Sequence, residues 1–493
     1  MDMRLATTRL NLYQRSLAKT EDAEFGLAQT EIGNQLVILT KPGSTILDEF
    51  EGEYSEFEDQ TLAICPLSHI NADRLCLQLY WLQPIPLGLR TSAGMGDRLG
   101  IATPGHVRAI RDMHGTIAPI FAQQSMREMN RTGRNPQQVM DDATWGIFEE
   151  GWRGGVGADA DHLKTRADIE ACIAQGFTFY TIDPGEFVNN LADKNKPSLI
   201  KKYVEELPDH LQPEATGLLR KSFRIEGYKF IMSDEVLFGA VVKYGKAIAH
   251  VANLYEYLEQ VAWNRPFEVE VSMDETELPT TPEEHIYIAS ELKRLGVKWV
   301  SFAPRFIGRF EKGVDYIGDL NTFKEDLAIH AAIARKLGPY KLSLHSGSDK
   351  FSIYSMFMEE TRGLAHLKTA GTSYLEALRT IGAVDTDLFR EIYEFALERY
   401  DTDKLSYHVS AQIDKAPKPN EVKDWPGLLN QFDAREILHV TFGSVLTVRN
   451  SDVGLRFYDR IQSILKGNRE VYFDNLEKHF IRHLKPFSTR TGQ

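Results

Sequence analysis

The sequence predicts an α/β protein, a (β/α)8 TIM-like barrel with an N-terminal β-containing cap and C-terminal helices. From about residue 155 onward, short apolar runs alternate with amphipathic helical patterns, which is typical of strand–helix–strand units on a parallel sheet. Several of these runs end in a titratable or hydroxyl residue, and barrels place such residues at the carboxyl ends of their strands. An open sheet that binds a dinucleotide is disfavoured, because the third glycine of GMGDRLG (94–100) comes one position too late for that motif.

Three regions follow from this pattern. Residues 1–90 mix polar turns with one apolar run, LVILT, and are predicted to form the cap, while residues 91–445 are predicted to form the barrel domain. Residues 446–493 are predicted to be a helical extension, because charged and apolar residues alternate there at helical spacing. Within the barrel domain, the predicted strands are 177–182, 267–272, 298–303, 341–345 and 405–409.

Two of the helices between these strands have clear end signals. In the first helix Thr281 is the predicted N-cap, Pro282 fits the first turn, Glu284 completes a capping box, and Gly296 ends the helix. The second helix ends at Gly338 and leads directly into the apolar run KLSLH.

Composition limits the partners that we expect. The chain has 493 residues and a net charge of −13, and an acidic surface of this size disfavours nucleic acid and anionic membranes as partners. The three cysteines show no CxxC spacing, which indicates a reducing compartment and argues against a cysteine-built metal site. No apolar run approaches ~18 residues, and the first residues lack the apolar core of a signal peptide. We therefore expect a cytoplasmic protein with a small-molecule partner, and the sequence also allows a homo-oligomer.

The segment GGVGADADHLKT places the Asp161 carboxylate next to the His162 imidazole, a base beside a potential metal ligand. Adjacent residues of a regular strand point to opposite faces, so these two side chains share a site only if the segment is irregular. The preceding glycines make an irregular backbone plausible. The alternative is a solvated loop whose aspartates cap the following helix.

The segment FEVEVSMDETE contains a row of polar residues with period two. Glu268, Glu270, Ser272 and Asp274 share one face of the predicted strand, and in a barrel that face points inward. Buried carboxylates are costly unless they are paired, protonated or bound to a metal, so this row indicates a functional site. The alternative is an edge strand with a solvated acidic face.

The segment LHSGSDKFS ends an apolar strand with His345, an imidazole placed where a divalent metal could bind it. The turn from Ser346 offers backbone N–H groups to an anion or a sugar oxygen, and Asp349 and Lys350 follow, the lysine as a charge for a carboxylate. The alternative is that His345 only hydrogen-bonds a carbonyl at the strand end. His408 ends another apolar run and is a candidate for metal or substrate.

Seven motifs together resemble the tagaturonate epimerase family over most of the chain. They are GMGDRLGIATPGH (94–106), GADADHLKT (157–165), FEVEVSMDETE (267–277), FEKGVDYIGD (310–319), LHSGSDKFSIY (344–354), LKTAGTSYLEALR (367–379) and LHVTFGS (438–444). The resemblance implies a metal-dependent isomerase that interconverts D-tagaturonate and D-fructuronate, and some members also act on fructose and tagatose. One departure is Ser355, which follows SIY where the family usually has proline.

The resemblance also implies roles for individual residues. Asp161 resembles the proton acceptor, Glu270 the proton donor, and His162 and His345 two metal ligands. Glu311 in FEKGVDY is the best match for a third ligand, and His408 competes for that role. For the substrate, Arg98 or Lys350 is expected to face the carboxylate, and the remaining expected contacts are Ser346, Asp349 and His408.

Other functions and metals fit the same residue types. A metal-dependent aldolase or ketose isomerase would need the same acid–base and metal groups, whereas a sugar-binding protein would not need a histidine–metal cluster. Two imidazoles and one or two carboxylates suit Zn, Ni, Co, Mn or Fe comparably. For the epimerase, cleavage and re-formation of the C3–C4 bond competes with direct abstraction of the C3 hydrogen.

Overall fold

The N-terminal cap is an antiparallel sheet of six strands. A computed structural model describes residues 3, 10–194, 197–450 and 454–488. Strand order in the cap is β1-β3-β4-β6-β5, with β2 paired to β3, and the predicted run LVILT lies in β4. The strands are β1 (Asn11–Leu12), β2 (Ala18–Lys19), β3 (Ala23–Thr30), β4 (Gly33–Thr40), β5 (Glu53–Phe57) and β6 (Gln60–Cys65).

Eight parallel strands form a closed barrel, in the order β7-β8-β9-β10-β13-β14-β15-β16 and back to β7, so the predicted fold class is confirmed. Two small hairpins, β11–β12 and β17–β18, lie outside the barrel. The strands are β7 (Ser92–Met95), β8 (Ala118–Ser125), β9 (Gly157–Leu163), β10 (Phe179–Ile182), β11 (Ser222–Ile225), β12 (Tyr228–Ile231), β13 (Glu268–Ser272), β14 (Ser301–Ala303), β15 (Lys341–Leu344), β16 (Ala365–Thr369), β17 (Arg449–Asn450) and β18 (Gly454–Leu455).

The helices cover the outside of the barrel, and the predicted capping box is present. Thr281 Oγ1 accepts the backbone N–H of Glu284, and the Glu284 carboxylate accepts that of Thr281. The helices are α1 (His69–Gln78), α2 (Thr103–Arg111), α3 (Met126–Thr132), α4 (Pro136–Glu150), α5 (Arg166–Ile173), α6 (Pro197–Glu205), α7 (Pro213–Thr216), α8 (Asp234–Ala262), α9 (Pro282–Arg294), α10 (Leu320–Leu337), α11 (Tyr354–Thr361), α12 (Thr372–Val384), α13 (Thr386–Asp403), α14 (Trp425–Leu428), α15 (Phe432–Val440), α16 (Phe442–Thr447), α17 (Tyr458–Gly467) and α18 (Arg469–Ser488).

The predicted strand at 405–409 is wrong. This segment contains a 3-10 turn, Lys404–Ser406, and Leu405 is 83% exposed. The barrel closes instead through pairing of β16 with β7, a strand that lies in the GMGDRLG region and that the apolar pattern did not single out. A closed barrel of eight strands has no free edge, so the apolar run at 405–409 has no strand to pair with.

The N-terminal cap and helix α18 both pack against the barrel domain. Glu150 at the end of α4 accepts from Arg15 of the cap and from Arg108 and Arg111, at 2.5, 2.8 and 3.0 Å. Helix α18 packs on α2, where a Cβ on Gly105 would lie 2.7 Å from Leu476 Cβ, so the small residue permits the close contact. The domain boundaries at 90/91 and 445/446 stay predictions.

No helix within the described ranges is long and apolar enough to cross a bilayer.

Candidate active site

The end of β9 is irregular, and this irregularity brings Asp161 and His162 into one site. The pairing register of β9 with β10 shifts between Tyr180 and Ile182, and His162 has a φ of +57°. As a result, His162 Nδ1 lies 2.7 Å from Asp161 Oδ1, although the two residues are adjacent on the strand. The irregular backbone that Asp161 and His162 need in order to share a site is therefore present.

His345 follows β15 directly and lies between two carboxylates that come from β13 and the loop after it. Its Nε2 is 2.6 Å from Glu270 Oε1, and its Nδ1 is 3.2 Å from Asp274 Oδ1. Burial alone would lower the pKa of His345, but Asp274 and Glu270 raise it to about 9. Ser272 Oγ also donates to Asp274 at 2.5 Å and so helps to fix that carboxylate.

Three side chains could together hold a metal ion. One ligand atom each from His162, Asp274 and His345 can be chosen so that all three lie within 4.8 Å of one another. Asp161 takes the Nδ1 side of His162, and Glu270 takes the Nε2 side of His345. Each histidine therefore presents its other nitrogen toward Asp274, at 3.8 Å from His162 Nε2 and 3.2 Å from His345 Nδ1. Carboxylates behind ligating histidines fix the tautomer in this way at many metal sites, so the donor set fits a divalent cation.

Lys368, on β16, connects the carboxylates beneath this group. Its Nζ lies 2.7 Å from Asp159 Oδ2, 2.7 Å from Asp161 Oδ1 and 2.9 Å from Glu270 Oε1. Burial alone would lower the pKa of Lys368, but these three carboxylates raise it above its usual range. Lys368 Nζ also donates to Thr181 Oγ1 at 2.6 Å.

The carboxylates of this network differ in protonation. Burial alone would raise the pKa of Asp161, but the positive charges of His162 and Lys368 hold it well below its usual range. Burial raises the pKa of Asp159 to about 7, against the opposing effect of Lys368. Asp161 is therefore an ionised acceptor, while Asp159 exchanges a proton near neutral pH.

A cleft of about 630 Å³, open solvent included, lies at the carboxyl ends of the strands. It combines the candidate metal ligands with cations and hydroxyl groups, so it can bind a polar, charged molecule. The lining residues are Arg98, Gln123, Ser125, Arg127, Glu128, Asp161, His162, Asp274, Glu275, Lys312, Gly313, His345, Ser346, Ser348, Lys368, Ala370, Tyr407 and His439.

Two of the residues predicted to contact substrate line this cleft. Arg98 donates through Nε to Glu128 at 2.9 Å, and its guanidinium lies 3.5 Å from the centre of the Phe442 ring. Ser346 Oγ accepts from Lys312 Nζ at 2.6 Å. Both positions are open to a ligand in the cleft.

The structure does not bring Glu311 to the two histidines. Its Oε2 accepts from the backbone N–H and the hydroxyl of Ser410, at 2.9 and 2.6 Å, and its Oε1 lies 3.3 Å from Arg309 Nη1. The carboxylate is satisfied in the loop after β14, whereas Asp274 occupies the position beside His345. His408, the competing residue, is exposed and does not line the cleft.

Lys350 and Asp349 are also placed outside the cleft. Lys350 Nζ donates to the backbone carbonyls of Glu311 and Ser348, at 2.7 and 3.0 Å, and so ties two loops together. The Asp349 carboxylate pairs with Arg435 at 3.0 Å and with His479 of α18 at 3.1 Å. Both residues hold the loop that carries Ser346, because their polar groups are directed into the protein.

Glu270 is fully buried and does not line the cleft. It accepts from Ser301 Oγ at 2.6 Å and from Thr181 Oγ1 at 3.3 Å, in addition to His345 and Lys368. Because these partners surround its carboxylate, Glu270 can influence a ligand in the cleft only through one of them.

Sequence reasoning missed Lys368 and Lys312, and it named Asp274 without assigning it a role as a metal ligand. Asp274 lies in the row that begins with Glu268, but its role as a neighbour of both histidines needed the folded loop. Lys368 alternates with apolar residues in LAHLKT, the same period-two signal that singled out FEVEVS. Lys312 directly follows Glu311 in FEKGVDY and had no local signal of its own.

A closed barrel with buried acid–base groups beneath a polar cleft, at the carboxyl ends of its strands, is the organisation of a TIM-barrel enzyme. The model of the tagaturonate epimerase family matches residues 13–487. The chain belongs to this family and is therefore an isomerase of the epimerase type.

Relatives agree over nearly the full length. The chain is 42% identical over 475 residues to the tagaturonate/fructuronate epimerase of Thermotoga maritima, with 96% of each chain covered. Its structure is similar to the native crystal structure of the fructuronate-tagaturonate epimerase from Cohnella laeviribosi, with a TM-score of 0.92, 38% identity and 98% of each chain covered. A glycerol complex of that protein gives the same TM-score and coverage at 37% identity.

Proposed function

We propose that this chain interconverts D-tagaturonate and D-fructuronate, with a divalent cation held by His162, Asp274 and His345. The observation that supports this most directly is the donor group at the strand ends, in which Asp161 and Glu270 fix the tautomers of the two histidines. The substrate pair is taken from the names of the relatives, which are tagaturonate/fructuronate epimerases. The cation, when bound, supplies Lewis-acid polarisation of the substrate ketone and its neighbouring hydroxyl.

The chemistry of the substrate limits the route. The two uronates differ at C3, numbered from the carboxylate, and the ketone is at C5, so the C3 hydrogen is not acidified by an adjacent carbonyl. The C3 hydroxyl is, however, beta to the ketone. Loss of its proton can therefore open the C3–C4 bond, with the electron pair of that bond moving toward the C5 carbonyl. Rotation of the new C3 aldehyde and re-formation of the bond then invert C3 with no atom lost.

We assign the proton transfers to Asp161 and Lys368. Asp161 is ionised and lines the cleft, so it can accept the proton of the C3 hydroxyl. Lys368 also lines the cleft, stays protonated among its carboxylates, and can return a proton to the C3 oxygen. Asp161 Oδ1 lies 2.7 Å from Lys368 Nζ, so the proton that Asp161 accepted passes to Lys368 and restores both groups. Glu270 is the proton donor implied by the family resemblance, but it does not line the cleft. Burial alone would raise the pKa of its carboxyl, but Lys368 and His345 hold that pKa well below its usual range. In this proposal Glu270 therefore positions the ammonium of Lys368, 2.9 Å away, and Lys368 gives the proton.

The same geometry weighs against direct abstraction of the C3 hydrogen. That route needs two groups on opposite faces of C3, yet Asp161 and Glu270 both contact the same ammonium of Lys368. Only Asp161 lines the cleft, so the two carboxylates do not flank a ligand there.

One experiment tests the proposal. The purified protein is incubated in deuterated water with each uronate, before and after chelation and after addition of Zn, Ni, Co, Mn or Fe, and products are followed by NMR. Fructose and tagatose are run in parallel to measure turnover of neutral ketoses. We expect the epimer without carbon fragments, loss of activity on chelation, recovery with at least one ion, and retention of hydrogen at C3.

Each part can fail separately. Release of carbon fragments would identify an aldolase, and full activity of the metal-free protein would remove the metal from the proposal. Deuterium incorporated at C3 would contradict the bond-cleavage route and leave the substrate assignment standing.

A further inference from the structure

One cation of the cleft has no counter-ion. Lys312 lies in the loop between β14 and α10, and its Nζ donates to Ser346 Oγ at 2.6 Å. Across residues 10–194, 197–450 and 454–488, no carboxylate oxygen lies within 4.0 Å of this nitrogen. The other cations of the cleft are each paired with a carboxylate: Arg98 with Glu128, Arg127 with Glu275, and Lys368 with Asp161.

Two buried nitrogens of the same cleft also lack an acceptor. Arg98 is 3% exposed, and its Nη1 has no hydrogen-bond partner in the described part of the chain. His439 is fully buried, and its Nε2 lies 3.4 Å from Arg98 Nη2, which places the ring hydrogen on Nδ1. His439 Nδ1 has no partner among the described residues either, and a Cβ on the neighbouring Gly313 would lie 2.9 Å from it. Buried donors without acceptors are rare in folded proteins and indicate a missing partner.

Lys312, Arg98 and His439 all line the cleft and lie near one another. Arg98 Nη2 is 3.4 Å from His439 Nε2, and Gly313, which follows Lys312 in the chain, lies beside His439 Nδ1. Burial and the neighbouring Arg127 lower the pKa of Lys312, so an anion placed beside its ammonium would stabilise the charged form. A buried carboxylate needs a cationic or hydrogen-bonding partner, and this group offers both.

We propose that Lys312 binds the carboxylate of the uronate substrate, with Arg98 Nη1 and His439 Nδ1 as the adjoining donors. This inference rests on the proposed function. Of the two carboxylate partners expected from the sequence, it keeps Arg98 and replaces Lys350 with Lys312, because Lys350 does not line the cleft. With the carboxylate held there, the ketone end of the substrate extends toward His162 and His345. Lys312 then selects uronates over neutral ketoses of the same length.

The test compares three variants of the metal-loaded enzyme. Lys312→Met removes the charge at similar side-chain length, Lys312→Arg keeps it, and Lys324→Met removes a charge from an exposed lysine that pairs with Glu359 on the surface. We expect Lys312→Met to raise KM for tagaturonate roughly 10- to 100-fold, the usual range for losing a hydrogen bond to a charged group. Lys312→Arg should stay much closer to the unaltered enzyme, and Lys324→Met should match it. An unchanged KM in Lys312→Met would overturn the proposal.

A binding measurement separates this inference from the proposed function. Calorimetric titration uses D-gluconate, a six-carbon carboxylate, and D-glucitol, its uncharged counterpart. We expect the unaltered enzyme to prefer gluconate and Lys312→Met to lose that preference, even if tagaturonate is not turned over. Equal gluconate binding by the enzyme and Lys312→Met, or no preference for gluconate at all, would overturn the role of Lys312 whatever the reaction.

Discussion

Replacing Lys368 with methionine should destabilise the barrel far more than the same replacement at Lys341. Both lysines are buried inside the barrel, on the neighbouring strands β16 and β15. Lys368 contacts three carboxylates within 2.9 Å, while Lys341 Nζ has a hydrogen bond to Ser92 Oγ at 3.0 Å and no carboxylate oxygen within 4.0 Å among the described residues. The two variants therefore remove the same charge from similar depth but leave different groups behind.

The size of the effect follows from what each variant leaves unpaired. Removing one partner of a buried ion pair costs about 3–5 kcal/mol, because the other charge stays buried without compensation. In Lys368→Met the carboxylates of Asp159, Asp161 and Glu270 all lose their shared cation. The unfolding entropy of a chain of 493 residues is large, so each kcal/mol shifts the melting temperature by roughly 1 °C, and a loss of about 3–5 kcal/mol should lower it by about 3–5 °C. Lys341→Met should cost about 1 kcal/mol or less, because burial already lowers the pKa of Lys341 to about 8 and only one neutral hydrogen bond is lost.

The pH dependence of this difference has a definite sign. The pKa of Asp159 in the folded protein is about 7, above its ordinary value of 3.8, so the folded state binds the extra proton between these values. Stability from this group is therefore present at low pH and is lost as the pH rises through about 7. Without Lys368 the carboxylates should bind protons still more readily. The loss of melting temperature caused by Lys368→Met should therefore be smaller at pH 5.5 than at pH 8.5.

The assay is thermal unfolding of the chelated protein, followed by circular dichroism at both pH values. Lys368→Met/Asp159→Asn should recover part of the loss at pH 8.5, because it removes one unpaired charge. Melting temperatures of Lys368→Met and Lys341→Met within about 1 °C of each other at pH 8.5 would refute the ion-pair argument. A loss of melting temperature in Lys368→Met that grows when the pH falls would refute it as well.

Two further predictions concern other carboxylates. Asp274→Asn should lower metal affinity by at least the roughly 10- to 100-fold that is typical of second-sphere changes. Glu311→Gln should leave metal affinity near normal. Metal content after dialysis measures both effects, and a larger loss in Glu311→Gln would restore Glu311 as the ligand. Burial, together with the nearby Glu311, raises the pKa of Glu436 to about 8, so the stability that it contributes is present below about pH 4.5 and is lost as the pH rises through 8. Glu436→Gln should therefore flatten the decline of the melting temperature between pH 6 and 9, and a curve parallel to that of the unaltered protein would contradict the raised pKa.

The sequence determined those features that depend on neighbours a few positions apart. The capping box of Thr281 and Glu284 and the inward face of FEVEVS are local patterns, and the structure confirms the capping box and buries Glu270 fully. The place of His345 directly after its strand is local in the same sense. The family resemblance added identities for residues such as His162 that spacing alone did not supply.

The tertiary structure decided which of these residues meet. Lys368 and Asp161 are 207 positions apart, and no local pattern predicts that contact. Barrel closure brings all the strand ends to one rim, so the residues that face each other there are set by strand order and register. Closure also excluded the apolar run at 405–409, since a closed sheet has no edge to offer.

Loop conformation determined which acidic residue lies beside the histidines and which lysine lies in the cleft. Asp274 and Glu311 are both acidic residues in loops that follow barrel strands. The family resemblance favoured Glu311 as a ligand, and the residue pattern alone does not show which of the two meets the histidines. The loop after β13 turns the Asp274 carboxylate toward His345, while the loop after β14 uses Glu311 to accept the backbone of Ser410 and leaves Lys312 beside Ser346. Loop conformation depends on distant packing partners rather than on periodicity, which is why the candidate ligand and the unpaired cation emerged only from the folded chain.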